Sequence, residues 1–229
     1  MSRLELRDVT VRLPTTEGDV LVLDQTSVTL TEQRVALIGA NGSGKSTLAR
    51  LLNGLVTATT GQVLVDGLDV ATEGAAVRRT VAFCFTDPSA QLVMPTVVED
   101  VALSLRRHHR DKQQRRTAAL DVLEQYGLAA LADRSVHSLS GGQRQLLAIA
   151  GVLATGPDVL VADEPTTLLD LRNTRAISDL LFGLPQQLVL VTHDLDLALR
   201  CERALLVEDG RVVADGPPVE VVETYRSSS

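Results

Sequence analysis

The stretch that most restricts what this chain can become is Gly39-Ala40-Asn41-Gly42-Ser43-Gly44-Lys45-Ser46-Thr47. It satisfies the pattern G-x-x-x-x-G-K-[ST], and its flanks satisfy the structural condition on that pattern. Val35 to Ile38 is a short apolar run that reads as a strand, and Leu48, Leu51, Leu52 and Leu55 then recur at helical spacing. In a strand–loop–helix of this kind the glycines let several backbone N–H groups converge on one anion, and the helix start adds partial positive charge. Gly39, Asn41, Gly42, Ser43, Gly44, Lys45, Ser46 and Thr47 are therefore candidate phosphate contacts. Lys45 is placed to reach β- and γ-phosphates, and the Ser46 hydroxyl to bind Mg²⁺. Lys45 and Lys112 are the only lysines in an arginine-biased chain, which suggests that a compact point charge is needed in the loop.

With 229 residues and 45% hydrophobic content the chain can build one large α/β domain. Its apolar runs fall short of the roughly 18–20 residues that span a bilayer. Met1 to Asp8 alternates charged and apolar residues, unlike a signal peptide. A soluble or peripheral protein is expected. The net charge of −7 argues against nucleic acid as a partner. Cys84 and Cys201 lack metal-ligand spacing and read as reduced thiols.

Along the chain, residues 3–13 alternate and predict one or two strands, and Pro14 to Asp19 a turn. Val20 to Leu23 and Val28 to Leu30 read as further short strands. Gln62 to Val65 reads as a strand ending at the hairpin signal Asp66-Gly67, and Val81 to Phe85 as another strand. This first third is expected to form an antiparallel layer beside the nucleotide core. From about Asp87 to Leu153 helix is predicted: Val97 to Leu105, then Arg115 to Tyr126, ended by Gly127. Between them runs Arg106-Arg107-His108-His109-Arg110-Asp111-Lys112, followed by Arg115 and Arg116. This is either a solvated helix face or a docking or lipid-headgroup surface. Val159 to Ala162 and Leu188 to Thr192 read as parallel strands buried on both faces, ending in Asp163-Glu164 and His193-Asp194. Three buried strands thus deliver polar groups at their carboxyl ends, where ligands sit in open α/β sheets.

Phosphoryl hydrolysis needs the triphosphate held, its charge neutralised and a water placed in line. Asp163 suits the second task as a ligand to Mg²⁺, and Glu164 the third as general base. Leu139-Ser140-Gly141-Gly142-Gln143 is a second anion site, with Ser140 as N-cap of a helix. A compact monomer cannot easily bring both sites to one triphosphate, whereas a dimer can close each chain's second site over its partner's nucleotide.

Leu139 to Gln143, set between a phosphate loop and an Asp-Glu strand, resembles the signature motif of ABC-transporter ATPases, and the resemblance covers nearly the whole chain. It implies the α/β ABC ATPase fold: a RecA-like P-loop core, an antiparallel β subdomain and an inserted helical subdomain. Residues 1–229 are then a single domain, with the β subdomain and the loop part of the core over about 1–86, the helical subdomain over 87–153 and the rest of the core over 154–229. It also implies two ATP molecules sandwiched in a dimer, with Leu139, Ser140, Gly141, Gly142 and Gln143 acting in trans. Glu164-Pro165-Thr166-Thr167-Leu168-Leu169-Asp170 resembles the Walker B end and D-loop, which places Asp170 at the seam. Val191-Thr192-His193-Asp194 resembles the switch region, with His193 sensing the γ-phosphate.

Two positions depart from the family pattern. No aromatic residue precedes Phe83, so adenine would meet Leu13 or the Arg12 guanidinium, and weak discrimination between bases is expected. Thr86 stands where the Q-loop normally has glutamine. Its short hydroxyl cannot span the same gap, and slow intrinsic hydrolysis relieved by a partner is expected. Gln91 to Val101 resembles the ATPases of energy-coupling-factor importers for vitamins or transition-metal ions, and the compact ending after Tyr225 resembles the short biotin-system members. The resemblance implies a homodimer, or a heterodimer with a second ABC ATPase. It also implies an integral-membrane coupling subunit and a solute-binding membrane subunit, met at the cytoplasmic face of the membrane. The competing readings are another ABC transporter class, a soluble ABC ATPase of DNA repair or translation, and a P-loop kinase. The absence of coiled-coil or charged inserts argues against the second, and Leu139–Gln143 with Asp163-Glu164 against the third.

Overall fold

The computed structural model describes residues 1–16 and 18–228, with the side chain of Ser228 excepted. In chain order the elements are β1 (Leu4–Thr15), β2 (Gly18–Leu30), β3 (Arg34–Ile38), α1 (Lys45–Leu51), β4 (Thr60–Val65), β5 (Leu68–Asp69), α2 (Val70–Thr80) and β6 (Val81–Cys84). They continue as α3 (Val97–Ser104), α4 (Lys112–Gln125), α5 (Gly141–Leu153), β7 (Val159–Asp163), α6 (Leu171–Gly183), β8 (Gln187–Val191), α7 (Leu195–Ala198), β9 (Arg203–Glu208), β10 (Arg211–Gly216) and α8 (Pro218–Ser228). The chain divides into two compact units. One holds residues 1–83, 158–164 and 184–229; the other holds 84–157 and 165–183.

In the first unit β1, β2, β4 and β5 form an antiparallel sheet in the order β2-β1-β4-β5. A six-stranded sheet runs β10-β9-β3-β8-β7-β6, and in it β3 pairs in parallel with both β8 and β9, and β7 with β8. Every residue of β3, β7 and β8 is buried. That is why these strands appear in the sequence as continuous apolar runs rather than alternating ones.

Two expectations need correction, and one element is new. Val81–Cys84 is not part of the antiparallel layer; it closes the edge of the six-stranded sheet. Val20 to Leu23 and Val28 to Leu30 are one strand, because the ladder with β1 continues through register shifts across the polar middle. Helix α2 was not anticipated. Only Val70 and Val77 are buried along it, Glu73 departs from helical dihedrals, and its start is fixed by Asp69, whose carboxylate accepts from the Ala71 N–H.

The second unit packs helices around its own core, in which Val97, Val101, Ala119, Leu123 and Leu147 are all fully buried. Asp111 caps α4 by accepting from the Gln114 N–H at 2.8 Å, and α4 begins earlier than the apolar spacing suggested because of that cap. Ser140 starts α5 with a capping box: its hydroxyl accepts from the Gln143 N–H while the Gln143 side chain accepts from the Ser140 N–H. Asp170 does the equivalent for α6, accepting from the Asn173 N–H at 2.8 Å.

Candidate functional site

The loop Gly39–Gly44 leaves the carboxyl end of β3, where Gly39 has φ 139° and a Cβ there would lie 2.1 Å from the Val207 carbonyl oxygen. No other residue fits. The loop is also held from the side: Gly210 donates to the Ser43 carbonyl at 2.9 Å, and Asp24 donates to the Gly210 carbonyl at 2.7 Å. Helix α1 begins at Lys45 after a left-handed Gly44 and has no side-chain cap among the described residues, so its first N–H groups are left for an external acceptor. The Lys45 ammonium folds back over the loop and donates to the Gly39 and Ala40 carbonyls at 2.8 and 2.7 Å. Burial lowers its pKa, a shift opposed by the negative charges of Glu164 and Asp163. The Ser43 hydroxyl is buried with no hydrogen-bond partner among the described residues. A cradle with an orphaned hydroxyl and a desolvated cation is complementary to an anion.

Asp163 ends β7 and is 1% exposed; it accepts from the Ser46 hydroxyl at 2.8 Å and pairs with Arg50 at 3.2 Å. Glu164 follows in the left-handed region, at φ 51°. Such a backbone costs a residue with a side chain energy and is held here by the Glu164 N–H donating to the Val191 carbonyl at 3.0 Å. That turn aims the carboxylate at His193, beyond the end of β8, whose Nδ1 lies 2.8 Å from Glu164 Oε2. Glu164 also lines, with Asn41 to Thr47 and Val22, a cavity of about 190 Å³ over the loop. The structure thus gathers the loop, Asp163, Glu164 and His193 in the first unit. Arg12 and Leu13 lie exposed on β1 and do not line this cavity.

In the second unit Thr86 lines a small cavity of about 70 Å³ with Asp87, Gly141, Arg144 and Leu168. The Gln91 amide is committed elsewhere: it donates to the Ala148 carbonyl at 2.8 Å and accepts from the Phe85 N–H at 3.4 Å. Gly142 meets Asn173, since a Cβ at 142 would sit 2.4 Å from the Asn173 amide. Leu168 and Leu171, flanking Asp170, are 66% and 79% exposed.

Two residues of the site, and Asn173 in the second unit, escaped the sequence reading. Arg50 is four positions after Ser46, on one face of α1, and that spacing was a usable signal. Val22 and Asn173 reach their places through tertiary contacts that no local pattern carries.

The strand–loop–helix cradle, with an aspartate and a glutamate at the end of a neighbouring strand, defines a P-loop protein that binds nucleoside triphosphates. Comparison with known proteins narrows this: residues 23–167 match the family model described as ABC transporter. A Deinococcus radiodurans protein named no more finely than ABC transporter ATP-binding protein is 48% identical over 205 residues, covering 90% of this chain and 91% of the relative. The biotin transport ATP-binding protein BioM of Rhizobium etli is 43% identical over 209 residues, covering 91% and 93%. Among solved structures, the ATP-binding cassette MJ0796, dimeric and bound to ADP and Pi after hydrolysis, superposes with TM-score 0.83 at 31% identity, over 94% of this chain and 98% of its own. CbiO1 of Clostridium perfringens, part of the ABC transporter complex CbiONQ, gives 0.81 at 30% identity, over 97% and 92%. The chain belongs to the ABC transporter family, with the ABC ATPase fold, and is an ATP-binding ATPase whose hydrolysis is coupled to transport. Among the described residues no helix is long and apolar enough to cross a membrane.

Proposed function

We propose that the chain is the motor subunit of a membrane importer of the energy-coupling-factor type, working at the cytoplasmic face of the membrane, with biotin as the favoured solute. Support for the class comes from the likeness to BioM and to CbiO1. The mechanism rests on one observation: the Glu164 carboxylate, over the phosphate loop, stands 2.8 Å from His193 at the end of the adjacent strand. The loop from Gly39 to Thr47 holds the triphosphate, with Lys45 leaving the Gly39 and Ala40 carbonyls for phosphate oxygens. Glu164 takes the proton of the attacking water, and His193 holds that carboxylate and reports on the γ-phosphate.

Ser46 and Asp163 would hold Mg²⁺. Their oxygens are hard and adjacent, and a site with one carboxylate, one hydroxyl and phosphate oxygens suits an ion that keeps several waters. When bound, Mg²⁺ neutralises charge developing on the phosphates. Arg50 keeps the Asp163 carboxylate turned towards Ser46.

The signature residues Leu139 to Gln143 act on the nucleotide of a second ABC ATPase, a copy of this chain or a different one. The exposed Leu168 and Leu171 on either side of Asp170 suit burial at such a seam. The other partners are an integral-membrane coupling subunit and a solute-binding membrane subunit. Mass spectrometry of what co-purifies with the tagged chain from native membranes tests this. A small coupling protein with a solute-binding subunit is expected. A conventional permease pair would replace the importer class, and soluble partners alone, from a preparation that retains membrane complexes, would overturn the transport reading.

A further inference from the structure

We propose that Arg144 is a positioning residue that joins Thr86 to the stretch Leu139–Gln143 through ordered water in the cavity they share. That cavity, of about 70 Å³, lies wholly within the second unit, where the 86–88 turn, the first turns of α5 and the 165–169 segment meet. A space of this size holds water when its lining offers polar partners, and Thr86, Asp87 and Arg144 all line it. Arg144 is bound on one side only. Its Nη1 donates to the Leu139 carbonyl at 2.8 Å, whereas its Nε is buried with no hydrogen-bond partner among the described residues. A buried donor left unmade is costly, and a water accepting from it removes that cost.

The needs of α5 do not account for a cation here. Arg144 stands four residues after the Ser140 cap, at the end of the helix where the macrodipole favours negative charge, and no acidic residue shares that first turn. The cation acts on its neighbours instead. The Asp87 carboxyl lies below its ordinary pKa chiefly through hydrogen bonds from Ser89, and the charge of Arg144 adds to that, so the guanidinium is felt at the 86–88 turn. Threonine at 86 is too short to reach far by itself, but a water held between its hydroxyl and Arg144 Nε extends it by one hydrogen bond in each direction. A displacement of the 86–88 turn then moves the Leu139 carbonyl, one residue before the cap of α5. The role rests on the reading in which Leu139–Gln143 act on a partner's nucleotide: Arg144 sets their position for catalysis and leaves ATP binding to the phosphate loop untouched.

A double-mutant cycle on kcat tests this. Arg144→Met keeps the stem and removes every donor, and is expected to lower kcat about tenfold while the dissociation constant of ATP stays within about twofold. Thr86→Val removes the hydroxyl at nearly constant volume. It is expected to lower kcat about threefold to tenfold in the native chain and to have no further effect beside Arg144→Met. Arg144→Lys keeps the charge and a donor for the Leu139 carbonyl but has no second nitrogen, so it is expected to restore Tm and not kcat. Equal effects of Thr86→Val in both backgrounds, full kcat in the lysine variant, or a loss confined to Tm would each overturn the role. Added to Glu164→Gln, Arg144→Met is expected to weaken the ATP-dependent dimer about tenfold by sedimentation. A Glu164→Gln chain that dimerises equally well with and without Arg144 would overturn the role alone. One that fails to dimerise even with Arg144 in place would remove the reading in trans and this role with it.

Discussion

Glu164→Gln takes one proton-accepting oxygen from the end of β7 while keeping the volume, the Cβ and the strained backbone of the native residue. Both residues bear the cost of the left-handed conformation at φ 51°, so that cost cancels in the comparison. The contact with His193 survives in weaker form, since an amide oxygen still accepts from Nδ1–H. Exchanging a charged for a neutral acceptor is worth about 1 kcal/mol, and less here because the His193 side chain is 58% exposed. For a chain of this length that corresponds to a Tm change of at most roughly 2–4 °C. The rate is another matter. Loss of a positioned general base costs about 10²–10⁴-fold, or roughly 2.7–5.4 kcal/mol at about 1.36 kcal/mol per decade. The expected outcome is phosphate release reduced at least about a hundredfold, ATP binding retained, and an ATP-dependent dimer visible by sedimentation. Phosphate release within about tenfold of wild type would refute the assignment of Glu164 as base. A variant that stays monomeric at high protein and ATP would refute the sandwich for the isolated chain. A fall in Tm well beyond the range above would mean that Glu164 is held for the fold instead.

Ser140→Ala removes the hydroxyl that caps α5 and is expected to cost about 1 kcal/mol, read as a Tm lowered by roughly 2–4 °C. Cys201 is expected to make stability fall in alkali, because burial pushes its thiol pKa from 9.0 to about 12. The folded thiol stays protonated where the unfolded one has ionised, so its contribution is complete below pH 9.0 and is lost as pH rises towards about 12. Chemical denaturation across that range should decline more steeply for the native chain than for Cys201→Ala. Thr86→Gln is expected to change the basal rate, the partner-stimulated rate or both, and unchanged values of each would remove any special role for the threonine. Dissociation constants for ATP and GTP are expected to lie within about tenfold, the worth of roughly one 1.4 kcal/mol contact, since among the described residues Val22 is the only apolar side chain lining the loop cavity. A much stronger preference for ATP would point to a base contact elsewhere.

What the sequence carried, and what it did not, follows from how far each signal reaches. The buried parallel strands were legible because both faces of β3, β7 and β8 are covered, which leaves no polar alternation to confuse them. The phosphate loop, the Asp163-Glu164 pair and the Ser140 cap were legible because each works within a few residues of itself. β2 was read as two strands because Asp24, Gln25 and Thr26 interrupt its apolar pattern, and only pairing with β1 carries the ladder through. α2 hid because two buried valines seven residues apart make a weak stripe.

The strictest requirements in the site are also non-local. Gly39 is fixed by a carbonyl 168 positions further on, at Val207, and Val22 reaches the loop through the tie of β2 to the β9–β10 turn. Gly142 is the clearest case. As a glycine near the start of α5 it weakens the helix by about 1 kcal/mol relative to alanine, so propensity alone argues for replacing it. The opposing constraint is Asn173, within 2.4 Å of where a Cβ would sit, and Asn173 is itself held by Asp170 through its N–H at 2.8 Å and its side-chain amide at 3.0 Å. A methyl at 142 must move Asn173, and moving Asn173 disturbs the cap that Asp170 gives α6. Gly142 and Asp170, in separate stretches of the sequence, are therefore joined by one side chain within the second unit. A change at either is felt at the other.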